Sequence, residues 1–195
     1  CSNMKIKELK QLKINKNYTV KDRIYKFDIV DANTNYGHGV ITSIWGIFRP
    51  HLFEFLKFAI KYFKDIHIWS AGEFKYVHHL REVIFVDEDI QPNIIFTRDE
   101  CDMYEDGTVN KPLNKFFKMH KDANLTNTLL IDDKIYNFVD NPDNGVLIPP
   151  YSPNFTVNSI LEDDLALLQL EKWLMLKDVI KTSDVRTLDK TQIFN

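Results

Sequence analysis

The chain has 195 residues, 44% hydrophobic and 13% aromatic, with a formal net charge of −3 and a pI near 6.1, enough for one domain with a sizeable core. That balance gives no strongly basic face, which disfavours nucleic acid as a partner. The apolar runs fall far short of the ~20 residues a membrane helix needs. Two cysteines, Cys1 and Cys101, make no disulfide framework and no metal cluster. With no secretory signal in view, they lead us to expect an intracellular protein, nuclear or cytoplasmic.

Residues 4–22 alternate Lys with Ile and Leu and are expected to be a partly ordered arm. An extension over 1–22 and one domain over 23–195 follow. Residues 24–30 read as the first core strand, apolar and β-branched, ending at Asp31 before a polar turn with Asn33. Lys26 and Asp28 are awkward in a strand buried on both faces. They argue against a central position, or for one wet face. Gly37, Gly39 and Gly46 surround a β-like run from Val40 to Trp45, read as a loop or hairpin. Pro50 then opens a helix, where its missing N–H does no harm, and Leu52, Phe55, Leu56, Ala59, Ile60 and Phe63 recur at helical spacing.

Residues 65–70 read as a second strand ending in Ser70, with Ala71-Gly72 allowing close backbone approach and a helix over about 73–83. A third strand is expected over 93–97, then an acidic hairpin-like excursion from Arg98 to Val109. Lys111 precedes Pro112 and a helix over about 113–119. A fourth strand over 127–131 ends in Asp132-Asp133. A short strand over 145–148 and two helices, about 158–170 and 171–181, close the pattern. Alternating strands and helices indicate an α/β fold, a parallel sheet with helices on both faces. In such a sheet the polar ends at Asp31, Ser70 and Asp132-Asp133 are expected along one crevice.

Several carboxylates in one crevice repel and call for a cation. Hard oxygen ligands suit Mg²⁺, which binds readily alongside a substrate phosphate. Asp31 can serve as a nucleophile toward phosphorus, Lys111 can neutralise a phosphoryl group, and Ser70 can hydrogen-bond to it. Each feature also has a plainer reading. Asp132-Asp133 before Lys134 resembles a helix N-cap, and a lone Lys before Pro is commonly a solvated side chain. The six histidines make no metal-ligand spacing.

The stretches from Phe48 to Leu56, from Ile68 to Tyr76, from Thr97 to Cys101, from Val109 to Lys111, from Leu130 to Lys134 and from Asn141 to Val146 resemble, in order, the motifs of the C-terminal-domain phosphatases of RNA polymerase II. That group is also called the NLI-interacting-factor-like phosphatases, within the haloacid dehalogenase (HAD) superfamily. The resemblance covers roughly residues 24–190. It implies a HAD-like Rossmannoid parallel sheet flanked by helices, with a small hairpin insertion and no large cap domain. It also implies a Mg²⁺-dependent phosphoserine/phosphothreonine phosphatase with an aspartyl-phosphate intermediate, acting on a phosphorylated protein or peptide such as the polymerase tail. Carried over residue by residue, Asp31 would be the nucleophile, Ser70 the motif hydroxyl, Lys111 the phosphate-binding lysine and Arg98 a substrate contact. Asp31, the Asn33 backbone carbonyl, Asp132 and Asp133 would hold Mg²⁺.

The departure is at Asn33, where the family has an Asp acting as general acid and base; Asn35 also replaces the family's Thr. An amide cannot shuttle that proton, and losing a general acid/base costs ~10²–10⁴-fold in rate. Three readings stay open. One is a catalytically inactive pseudophosphatase that binds phosphopeptides or proteins as a scaffold. Another is a weakly active enzyme in which Asp28 or His38 supplies the base. The third is an introduced change at Asn33. A phosphatase for a small molecule or a nucleic-acid end is a further reading that the charge balance disfavours.

Overall fold

The computed structural model describes residues 10–11, 20–32, 37–85, 90–154 and 156–195; the positions of Asn33 and Asn35 lie outside them. Strands β1 (Ile24–Val30) and β2 (Ile41–Ile47) form an antiparallel hairpin, with Ile24 opposite Ile47 and Val30 opposite Ile41. Lys26, Asp28 and Val30 are exposed on β1, whereas Ile29 is buried. One wet face is what the two charged residues demand, and an antiparallel pair tolerates it where a doubly covered sheet does not. The hairpin packs through Ile24, Trp45 and Ile47 on Val20 and Ile160.

The rest is mixed α/β, as the sequence indicates. Helix α1 (Leu52–Tyr62) leads to β3 (Ile68–Trp69), which pairs in parallel with β4 (Ile95–Phe96) after helix α2 (Phe74–Ile84). The acidic excursion is a small antiparallel hairpin, β5 (Asp102–Met103) with β6 (Val109–Asn110), followed by helix α3 (Leu113–Met119). Strand β7 (Leu130–Asp132) pairs in parallel with β8 (Gly145–Leu147). Helices α4 (Val157–Leu161), α5 (Ala166–Leu174) and α6 (Lys177–Ile180) follow. Three short helices stand where two were expected. Asp164 breaks the run because its carboxylate accepts the Ala166 N–H and the Arg49 guanidinium.

The main core joins α1 to α5 through Phe55, Ala59, Leu167, Leu170 and Leu174, with Val146 and Ile148 beneath. Two residues fix α1 near its ends: Arg49 grips Asp164 in a two-point pair at 2.8 and 3.0 Å, and Tyr62 donates to Leu174 O at 2.7 Å. Among the described residues, β1 does not join either parallel pair. The expectation that the first, second and fourth strands end along one crevice is therefore corrected in detail. Between the β3–β4 and β7–β8 pairs lies a cavity of about 370 Å³.

Candidate phosphate site

Asp31 sits just past the end of β1 in the left-handed region, at φ +53°, a conformation that Asp tolerates better than most residues. Its backbone N–H donates to Val40 O at 2.7 Å. Its carboxylate accepts from the Gly39 and Val40 N–H groups at 3.2 and 2.9 Å. The side chain is thus folded back onto the mouth of its own hairpin, and the residue is buried. Lys75 Nζ lies 3.3 Å from the Asp31 carbonyl oxygen and 3.4 Å from that of Val30.

Lys75 belongs to the first turn of α2, next to the loop that carries Ser70. Ser70 donates its N–H to Phe96 O at 3.0 Å, and its Oγ accepts the Gly72 N–H at 3.0 Å. Gly72 is needed there, because a Cβ would stand 2.9 Å from the Tyr76 ring and 3.2 Å from Ser70 Oγ. Arg98 closes the same loop. Its Nε donates to Ala71 O at 3.0 Å and its NH1 meets Glu73 at 2.8 Å, with the side chain half exposed. Asp31, Ser70 and Arg98 are therefore gathered around the start of α2.

Lys111 and Asp132 form a second group. Nζ meets Oδ2 at 2.5 Å, with side-chain exposures of 7% and 10%. Asp132 Oδ1 accepts the Lys134 N–H at 2.9 Å but caps no helix: Lys134 itself stands at the N-cap of the 3-10 turn Ile135–Phe138, which no side chain caps, so the plainer N-cap reading of this acidic pair is corrected. Asp133 points out and pairs with Lys134 at 3.1 Å. Cys101 lies between the two groups, its sulfur 3.9 Å from Ser70 O and 3.5 Å from Thr97 O. Burial pushes its thiol up, against the lowering pull of Trp69, Lys111 and Lys115. A buried, protonated thiol is a poor nucleophile.

A divalent cation needs several oxygen donors free at one point. Here Asp31 is engaged by two backbone N–H groups, Asp132 by Lys111, and Asp133 by Lys134. Among the described residues no three acidic, His or Cys side chains come together as a cation site. As placed, these residues do not fit Mg²⁺, and no reaction step is derived through it. The arrangement can offer an anion the Ser70 hydroxyl and the cations of Lys75 and Arg98. Sequence reasoning missed Lys75. It lies within the quoted stretch from Ile68 to Tyr76, but a Lys in a helix turn reads as a solvated side chain. The Gly39 and Val40 N–H groups carry no side-chain signal.

A family model for NLI interacting factor-like phosphatases matches residues 9–186. Proteins named ubiquitin-like domain-containing CTD phosphatase 1 are similar. The Xenopus tropicalis protein is 31% identical over 150 residues, 73% of this chain and 45% of the relative. The human protein is 30% identical over the same shares, and the Drosophila melanogaster protein 32% over 111 residues, 54% of this chain and 34% of the relative. The chain thus spans less than half the length of these relatives. Among solved structures, the fission yeast RNA polymerase II CTD phosphatase Fcp1 bound to beryllium fluoride superposes with a TM-score of 0.55 at 21% identity, covering 82% of this chain and 41% of Fcp1. A second Fcp1 structure gives 0.54 at 19% identity, covering 80% and 37%. At that identity the likeness speaks for the fold, which is HAD-like, with no large cap among the described residues. With most of its length matched, this chain belongs to the NLI interacting factor-like phosphatase family.

Proposed function

We propose that this chain is a CTD-phosphatase-type domain that binds phosphorylated Ser/Thr segments of a protein, such as the polymerase tail, and is impaired in hydrolysing them. The observation that carries the reading is the state of its acidic groups: Asp31 and Asp132 are already matched by hydrogen-bond donors within the chain, and position 33 holds an amide. Ser70, Lys75 and Arg98 supply a hydroxyl and two cations around one loop, the donors that a phosphate dianion needs. Phosphoryl transfer relies on positioning and charge neutralisation, so a site can keep phosphate affinity while losing turnover. Residual hydrolysis proceeds through Asp31 as nucleophile. Mg²⁺, the cofactor that the family resemblance implies, is left to the assay, because the acidic groups as placed are already engaged.

The test is phosphate release from an aryl phosphate and from a phosphoserine heptad peptide, with Mg²⁺ and with a chelator. We expect Asn33→Asp to raise turnover by ~10²–10⁴-fold and Asp31→Asn to abolish it, while peptide affinity changes little in either variant. Fast Mg²⁺-dependent turnover in the unmodified chain would overturn the impaired reading and establish an ordinary phosphatase. Absence of both peptide binding and turnover would overturn the site itself.

A further inference from the structure

The three carboxylates that a divalent cation would draw on are already matched by donors of the chain. Asp31 takes the Gly39 and Val40 N–H groups, Asp132 takes Lys111, and Asp133 takes Lys134. To hold a divalent ion, Asp132 would release Lys111. That ammonium is only 7% exposed and would stand unmatched, the costly way to break a buried pair. Asp31 would release two backbone N–H groups, which would then need another acceptor. One cation of the site is in the opposite state. Among the described residues Lys75 pairs with no carboxylate. Its Nζ meets the carbonyl oxygens of Asp31 and Val30 at 3.3 and 3.4 Å, both longer than an ordinary N–H···O bond.

Packing fixes where that ammonium stands. Lys75 lies in the first turn of α2, and its carbonyl oxygen is 2.7 Å from His79 Nδ1. The helix rests on β1 through Phe27, whose ring lies 6.0 Å from that of Tyr76 and 5.7 Å from that of His79. It begins just after the loop that carries Ser70. An ammonium has three donors. Two loosely held carbonyls leave it one, and they leave its charge uncompensated by any side chain. Arg98 is less available, because Glu73 takes its NH1 at 2.8 Å. A phosphate dianion needs charge-assisted donors, and a fixed ammonium supplies one as a bound cation does. We propose that the site binds the phosphate of a phosphorylated segment without a divalent cation, with the Lys75 ammonium as its charge partner and the Ser70 hydroxyl as a hydrogen-bond donor. This rests on the phosphopeptide reading of the same site, and adds that recognition is independent of Mg²⁺ and centred on Lys75.

The test is fluorescence anisotropy of a labelled phosphoserine heptad peptide on the full chain, with Mg²⁺ and with a chelator, and with the unphosphorylated peptide as the blank. We expect the two affinities to agree within ~2-fold. Inorganic phosphate should displace the peptide in the chelator as well, a readout that needs no variant. Lys75→Met should weaken binding ~10-fold or more, the loss of one charge-assisted bond, whereas Lys75→Arg should keep most of it. Lys75 is exposed, so Lys75→Met should melt with the unmodified chain by circular dichroism. Binding that appears only with Mg²⁺ would overturn this inference and leave the phosphopeptide reading standing. Full affinity in Lys75→Met would do the same. Absence of any phosphate-dependent binding under both conditions would overturn the two together.

Discussion

Lys111 and Asp132 answer each other's charge where water scarcely reaches. Removing one partner of such a pair leaves an uncompensated buried charge, at a cost of about 3–5 kcal/mol, whereas replacing both with apolar residues is often near neutral. Lys111→Met should therefore lower the urea midpoint sharply, and Lys111→Met/Asp132→Leu should recover most of it. His51 offers a pH test at the same scale. Burial pulls its pKa down, but hydrogen bonds to Glu54 at 2.6 Å and Asp163 at 2.9 Å, with their charges, outweigh burial and raise it above 6.5. A raised folded value means that the protonated ring favours folding. That contribution is complete below about pH 6.5 and is lost as pH rises through the folded value. An NMR titration of the ring should give a midpoint above 6.5, and Glu54→Gln/Asp163→Asn should bring it down. Asp31, Ser70, Arg98, Lys111 and Asp132 were legible in the sequence because each sits at a strand end or a Gly/Pro break. Their partners were not, since Lys75 and the Gly39 and Val40 N–H groups become informative only once distant segments meet.

At the scale of elements, the hairpin shows how a strand's own pattern overrules its expected neighbours. Seven residues alternating between wet and dry faces choose a partner that leaves one face in water, and β2, the next strand in the chain, supplies it. Strand β8 shows the opposite constraint. Gly145 opens it under the ring of Phe138, and a Cβ there would stand 2.6 Å from Phe138 Cγ. Phe138 is itself buried and has no room to yield. Gly145→Ala should thus cost about 1–3 kcal/mol of stability through overpacking, read as a lower thermal midpoint by circular dichroism. Helix α1 was the most legible element through its apolar period, but it starts at Leu52 with His51 at its N-cap, so Pro50 stands before the first turn and not in it. The short helices after Thr156 were the least, because Asp163 and Asp164 act through residues on α1 and its N-terminal loop.

Over the whole molecule, the segment before β1 acts as a fastening. Val20 is fully buried against Ile160. Arg23, also buried, donates to Phe48 O at 3.0 Å, to Ile160 O at 3.1 Å and to the Tyr151 hydroxyl. These bonds tie the hairpin, the start of α1 and α4 together. A chain starting at Ile24 should melt roughly 5–10 °C below one starting at Val20, since two carbonyls and a phenol lose their donor and a core contact is removed. The domain boundary that we expected at residue 22 is a matter for the same pair of truncations. No described helix is long and apolar enough to cross a membrane, in keeping with the short apolar runs.

The sequence by itself determined the family, the α/β class and the small acidic hairpin, and it singled out Asp31, Ser70, Arg98, Lys111 and Asp132 as candidates for a site. These follow from local information: hydrophobic period, Gly and Pro punctuation, and polar groups at strand ends. It also puts an amide at position 33, where the family resemblance expects an acid. Only the tertiary structure decided that β1 pairs with β2, that Lys111 is matched to Asp132, that Asp31 is held by Gly39 and Val40, and that a cavity of about 370 Å³ lies between the two parallel pairs. The physical reason is range. Periodicity states which face of a segment must be dry, but which surface dries it depends on long-range packing and on balances of a few kcal/mol between alternative partners.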